Sequence, residues 1–113
     1  MSAITTHVLD TSRGKPASGV PIVLSRRDDD GAFIELARGA TDADGRLRSL
    51  TEGKALEAGV YRLVFDTAAY FASIATEGFY PEAAVTFEVR APSEHHHVPL
   101  LLNPFGFSTY RGS

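Results

Sequence analysis

The sequence predicts an all-β fold, a β-sandwich of two sheets with one short helix. Three observations carry that prediction. Short runs of β-branched and aromatic residues recur along the chain, separated at regular spacing by clusters of Gly, Pro, Asn and Asp. Only one segment has the composition of a helix. The closing strands are apolar on both pleat faces, so one face packs in the sandwich and the other points to a partner subunit.

Taken in order, Ala3 to Leu9 is a β-branched run with Ile4, Thr5, Thr6 and Val8, and reads as the first strand. Asp10 to Pro16 is a loop by its Asp, Gly and Pro content. Val20 to Arg26 is the second strand, with Pro21 suited to a first or edge position. Asp28 to Gly31 closes a hairpin. Its return, Ala32 to Gly39, sets Phe33 and Glu35 against Ile34 and Leu36, so alternation does not select an inward face. Thr41 to Arg46 is a turn whose Asp44-Gly45 pair places Arg46 on the first residue after it. Leu47 and Leu50 follow on a short strand or turn. Val60 to Asp66 is a strand. Thr67 to Ala75 is the helix, capped by Asp66 or Thr67, with Phe71 and Ile74 facing inward. It is short, so packing must hold it. Gly78 and Pro81 end that segment, and Ala83 to Arg90 sets Val85, Phe87 and Val89 against Thr86, Glu88 and Arg90. A strand from His95 to Leu102, a Pro104-Phe105-Gly106 turn and a last strand complete about seven or eight strands.

The length of 113 residues favours one domain, residues 1–113. Such a chain buries roughly two-thirds of its unfolded surface without covalent staples. Cysteine is absent, which excludes disulfides and thiolate chemistry. A net charge of −3 without a long basic run argues against nucleic acid. Asp28, Asp29 and Asp30 beside Arg26 and Arg27 read as a solvated hairpin end. Met1 to Asp10 lacks the charged and apolar regions of a signal peptide, and no run approaches the ~18 apolar residues of a membrane span. Ser2 excludes N-myristoylation, and Arg111-Gly112-Ser113 is no peroxisomal tripeptide. The expected location is the cytoplasm.

The four histidines are not scattered: His7 lies in the first strand and His95, His96 and His97 open the penultimate one. The pleat puts His95 and His97 on one face and turns His96 to the other, with Val98, Leu100 and Leu102. Neutral imidazoles can take and return a proton near neutral pH. Arg46 leaves its turn as a fixed fork of donors suited to an imide, a carboxylate or a developing oxyanion. Tyr110 and the terminal carboxylate can orient a planar ligand, and Ser108, Thr109 and Ser113 add hydroxyls. A lone surface histidine, a surface arginine and a turn glycine at Gly45 are the plainer readings of the same residues. His95 and His97 with His7 also form a usable zinc set, but no acidic or cysteine ligand stands near them and Arg46 would repel a cation.

Thr6-His7-Val8-Leu9-Asp10, Thr41-Asp42-Ala43-Asp44-Gly45-Arg46, His95-His96-His97-Val98-Pro99-Leu100-Leu101 and the closing Tyr110-Arg111-Gly112-Ser113 resemble the 5-hydroxyisourate hydrolase family, the transthyretin-related proteins. The resemblance runs the whole chain. Its specific element is the closing tetrapeptide, which separates these hydrolases from transthyretin, the hormone carrier of the same fold. It implies a transthyretin-like (prealbumin-like) sandwich of two four-stranded sheets, assembled as a homotetramer with active sites between dimers. It also implies cofactor-independent hydrolysis of 5-hydroxyisourate to 2-oxo-4-hydroxy-4-carboxy-5-ureidoimidazoline, with no metal. His7, Arg46 and His97 become the expected catalytic residues. His7, Arg46, His95, Tyr110 and Ser113 become the expected substrate contacts. The chain departs from the family at His96, where Tyr is common, and by the pleat that residue faces away from the site. The other function consistent with the fold is a carrier of a small aromatic ligand.

Overall fold

The structure, a computed structural model, describes residues 3–113. Met1 and Ser2 lie outside the described residues, and with them the argument from Ser2 against myristoylation. The elements are β1 (Ile4–Asp10), β2 (Lys15–Pro16), β3 (Pro21–Arg27), β4 (Phe33–Ala40), β5 (Arg46–Leu47), β6 (Gly59–Phe65), α1 (Thr67–Ser73), β7 (Ala83–Val89), β8 (His96–Asn103) and β9 (Gly106–Thr109). No helix among the described residues is long and apolar enough to cross a membrane.

One sheet has the order β4-β3-β6-β7, antiparallel throughout. The other has the order β2-β1-β8-β9, with β5 also paired to β1. β8 runs parallel to β1 along its whole length, from Ile4 opposite His96 to Asp10 opposite Leu102. The other edge of β1 is shared: Thr6 and His7 face β5, while Leu9 and Asp10 face β2. This sheet is therefore four strands wide, as expected, with its outermost column split in two.

Alternation packs the sheets face to face. Ile4, Val8, Val98, Leu100 and Leu102 meet Ile22, Leu24, Tyr61, Leu63, Phe65 and Val89, all buried. Each of the large apolar side chains contributes ~1.5–3 kcal/mol by leaving water, so the sandwich holds without disulfides.

Of four local expectations, two are corrected, one holds and one open question is resolved. Asp10 to Pro16 is not all loop, because Lys15 and Pro16 return along β1 in a tight hairpin. Pro21 does take the first position of its strand, but β3 is central, between β4 and β6. At a strand's first residue the missing N–H disturbs the ladder least. The undecided face of β4 has a cause: Leu24 pairs Ala37 but Ser25 pairs Glu35, so Leu36 is an extra bulged residue that reverses the alternation. The helix is shorter than expected. Asp66 caps it, accepting from Ala69 N at 3.0 Å, and it ends at Ser73, before Ala75 turns to φ 52°. Tyr70 is buried beside Phe71, while Ile74 is only partly buried at the C-cap. Tyr70 Oη donates to Oδ2 of buried Asp10 at 2.6 Å and ties the helix to the end of β1.

Candidate active site

The parallel register of β1 and β8 sets the site. Thr5, His7 and Leu9 lie opposite His97, Pro99 and Leu101, all on the outer face of the sheet. Their alternates, Thr6 and Val8 beside Val98 and Leu100, fill the core. His96 follows them inward and is 5 % exposed, as the pleat predicts. Its Nδ1 has no hydrogen-bond partner among the described residues.

Arg46 reaches the same face from the other edge of β1, where it pairs with His7. Its turn is tightly made. Oδ1 of Asp42 accepts from Asp44 N at 2.9 Å and from Arg46 N at 3.0 Å, and Gly45 N donates to Asp42 O at 2.9 Å. Gly45 takes φ 75° and sits so close to β1 that a Cβ would stand 2.5 Å from Val8 O. Val8 N donates to Gly45 O at 2.7 Å and docks the turn. The Arg46 side chain forms no ion pair among the described residues, so its donors remain available.

The closing segment seals the other side. Gly112 bridges to His97, its N–H donating to the His97 carbonyl at 2.8 Å. Thr109 Oγ1 donates to Pro99 O at 2.7 Å. A cleft of ≈ 180 Å³ results, lined by Thr5, Thr6, Arg46, Arg48, His95, His97 and Ser113. His7 does not line the cleft, but it is near enough to Arg46 and His97 for the three to feel one another's charge.

Both inner imidazoles are biased to the neutral form. Burial lowers the pKa of His7, and the Arg46 cation adds to this. A hydrogen bond to the Asp44 backbone and the Asp42 and Asp44 carboxylates oppose it without reversing it. His97 is lowered first by burial, then by His95, Arg46 and His7, with a hydrogen bond to the Thr5 backbone opposing. An uncharged imidazole beside a guanidinium is a base next to an oxyanion donor.

His7, Arg46, His95, His97 and Ser113 thus gather on one face. Tyr110 does not line this cleft. It is 58 % exposed and lines the neighbouring groove, between β7 and the β8–β9 end, with Val85, Phe87, His97 and Arg111, so His97 is common to both. Three residues of the cleft carry no sequence signal of their own, Thr5, Thr6 and Arg48. Thr6 directly precedes His7, while Thr5 and Arg48 each sit two positions from a predicted residue, Thr5 before His7 and Arg48 after Arg46. A two-residue period along the outer face was the available clue for Thr5. Among the described residues, no three His, Cys, Asp or Glu side chains gather as a metal site.

Against known proteins, the profile of the HIUase/Transthyretin family matches residues 4–112. The chain is 46% identical over 110 residues to the 5-hydroxyisourate hydrolase of Salmonella typhimurium, covering 97% of this chain and 80% of that one. It is 44% identical over 117 residues to the 5-hydroxyisourate hydrolase of Caulobacter vibrioides, covering 100% of both. Among solved structures, the 5-hydroxyisourate hydrolase of Klebsiella pneumoniae superposes with a TM-score of 0.86 at 40% identity over 100% of both chains. Sea bream transthyretin in complex with thyroxine gives 0.91 at 34% identity, covering 97% of this chain and 94% of that one. By profile, by full-length identity and by fold, the chain belongs to the HIUase/transthyretin family.

Proposed function

We propose that this chain hydrolyses 5-hydroxyisourate in urate degradation, with His7, Arg46 and His97 as its catalytic centre. The full-length hydrolase relatives support the activity. The observation that carries the site assignment is that two neutral-leaning imidazoles and a guanidinium without an ion pair among the described residues meet on one sheet face.

In this reading His7 and His97 hold a water and one of them takes its proton. The water oxygen bonds to a ring carbonyl carbon, and Arg46 stabilises the negative charge that moves to the carbonyl oxygen. The ring C–N bond then breaks, and the proton passes from the imidazolium to the departing nitrogen. The product, 2-oxo-4-hydroxy-4-carboxy-5-ureidoimidazoline, carries its new carboxylate beside Arg46. No cofactor is required. General-base help is worth ~10²–10⁴ in rate and an oxyanion donor ~10²–10³.

His95 and Ser113 contact the substrate from the cleft walls. Tyr110 lines the adjoining groove that shares His97, and from there it bounds the substrate. The proposed assembly is a homotetramer with sites between dimers. The unpaired outer edges of β7 and β9 and the exposed Phe105 offer surface for such an assembly. Residues 1–113 act as one domain, and the cytoplasm is the proposed compartment.

The likeness to sea bream transthyretin favours the second reading, a carrier of a small aromatic ligand. Ultraviolet decay of freshly generated 5-hydroxyisourate, with and without protein, separates the two. Acceleration supports the hydrolase. Unaccelerated decay leaves the carrier.

A further inference from the structure

Thr5 Oγ1 lies 2.8 Å from Nε2 of His95 and 2.8 Å from Nδ1 of His97. Thr5 itself is 5 % exposed, and the two rings are 6.1 Å apart and 29° from parallel. A hydroxyl has one proton and two lone pairs. It can donate to only one of the two nitrogens, so at least one ring must present an N–H to it. Nδ1 of His97 faces the Thr5 hydroxyl from the paired strand position, whereas His95 is exposed ahead of β8. With the proton on Nδ1, the Nε2 lone pair is left free. Oγ1 then turns its own hydrogen to Nε2 of His95.

From this geometry we infer that Thr5 is a positioning residue: its hydroxyl holds His97 as the Nδ1–H tautomer and hydrogen-bonds His95 in the same chain. The hydrogen bond made by one ring nitrogen decides which nitrogen carries the proton. An unconstrained neutral histidine side chain prefers the proton on Nε2, which would block the nitrogen needed as base. Thr5 reverses that preference. The same bond fixes both ring planes, so that His95 is held by Thr5 although it is exposed and precedes β8. The kinetic consequence rests on the hydrolase reading. The tautomer assignment does not.

The test uses the full chain with Thr5→Val, which keeps the side-chain shape and removes Oγ1, and Thr5→Ser, which keeps the hydroxyl. Ring ¹⁵N shifts of histidine, read by NMR, report protonation at each nitrogen. His97 Nε2 should be unprotonated in the native chain and in Thr5→Ser, and protonated in Thr5→Val. With 5-hydroxyisourate, Thr5→Val should lose roughly 10–100-fold in kcat, the usual cost of removing a group that orients a reacting residue. KM should rise as well, by less than kcat falls, because His95, a substrate contact, loses its anchor in the same variant. Thr5→Ser should restore kcat. A native His97 with its proton on Nε2 overturns the inference, as does a Thr5→Val chain with native kcat. If native protein fails to accelerate decay, the hydrolase reading falls, while the nitrogen shifts still decide the tautomer. The native spectrum decides it even if a variant does not fold.

Discussion

A Cβ placed on Gly112 would stand 2.6 Å from Cδ2 of His97 and 3.3 Å from its Cγ, so the closing backbone lies directly on the imidazole. That approach is closer than any other residue allows. The glycine is therefore a wall of the site as much as a link in the chain.

Gly112→Ala should push the His97 ring out of line or lift the closing segment off β8. Misplacement of a reacting group by about 1 Å can cost ~10²-fold in rate. We expect a fall of that order in kcat with the melting temperature nearly unchanged. Full activity in Gly112→Ala would mean that the tail does not seat the ring.

His97→Asn keeps a polar planar group and removes the base. Turnover should fall ~10²–10⁴-fold, with the circular dichroism spectrum and oligomeric state preserved. Unaltered turnover would remove His97 from the mechanism.

Arg46→Lys retains a positive charge but loses the planar fork. If Arg46 receives the oxyanion, kcat should drop ~10²–10³-fold on complete removal in Arg46→Ala, with Lys giving partial recovery. Equal losses in both variants would show that the fork, and not the charge, is what the transition state uses.

The rate should fall on the acid side. His7 and His97 both titrate below the ordinary imidazole value of 6.5, held there first by burial and then by neighbouring positive charge. Both bases are then neutral above ~6.5, and activity declines only as pH falls through the depressed values. Arg46→Ala removes a positive neighbour from both rings, so its acid limb should move to higher pH. Stability follows the same sign. The unfolded chain binds protons more readily, so the contribution of these rings is complete above the unfolded pKa and is lost as pH drops. An acid limb that stayed in place in Arg46→Ala would contradict the electrostatic account.

Tyr70→Phe tests the buried tie rather than the site. Asp10 accepts from Tyr70 Oη at 2.6 Å, from Ser12 Oγ at 2.7 Å, and from Ser12 N and Arg13 N at 3.1 Å each. Burial pushes its pKa up, but these bonds outweigh that and hold it below the usual carboxylate value. Removing one donor from a buried carboxylate should cost ~1–3 kcal/mol in urea unfolding, with kcat unchanged.

Much of this architecture was legible because period-2 patterns are local. The pleat alone placed His95 and His97 together and turned His96 into the core. The Asp-Gly turn located Arg46 at the start of β5. Pairing is not local. Nothing in Ile4 to Asp10 announces that it will lie parallel to residues about ninety positions away, and without that register neither the role of Thr5 nor the meeting of His7 with His97 can be read. The bulge at Leu36 hid the inward face of β4, because one added residue reverses every side chain beyond it. Tyr110 follows the end of β9 and lines a groove beside the cleft, with His97 shared between the two.

The pairing of β1 with β8 also has a consequence for how the molecule comes into being. During synthesis β1 leaves the ribosome about ninety residues before its longest neighbour does. Until then one full edge of β1 has no backbone partner, and closing that contact requires a loop of most of the chain. Assembly of this sheet is therefore slow for a protein of this size, and the nascent chain exposes a strand edge that invites wrong pairing. The geometry that unites the two ends of the polypeptide in the finished protein leaves the half-made one open to aggregation.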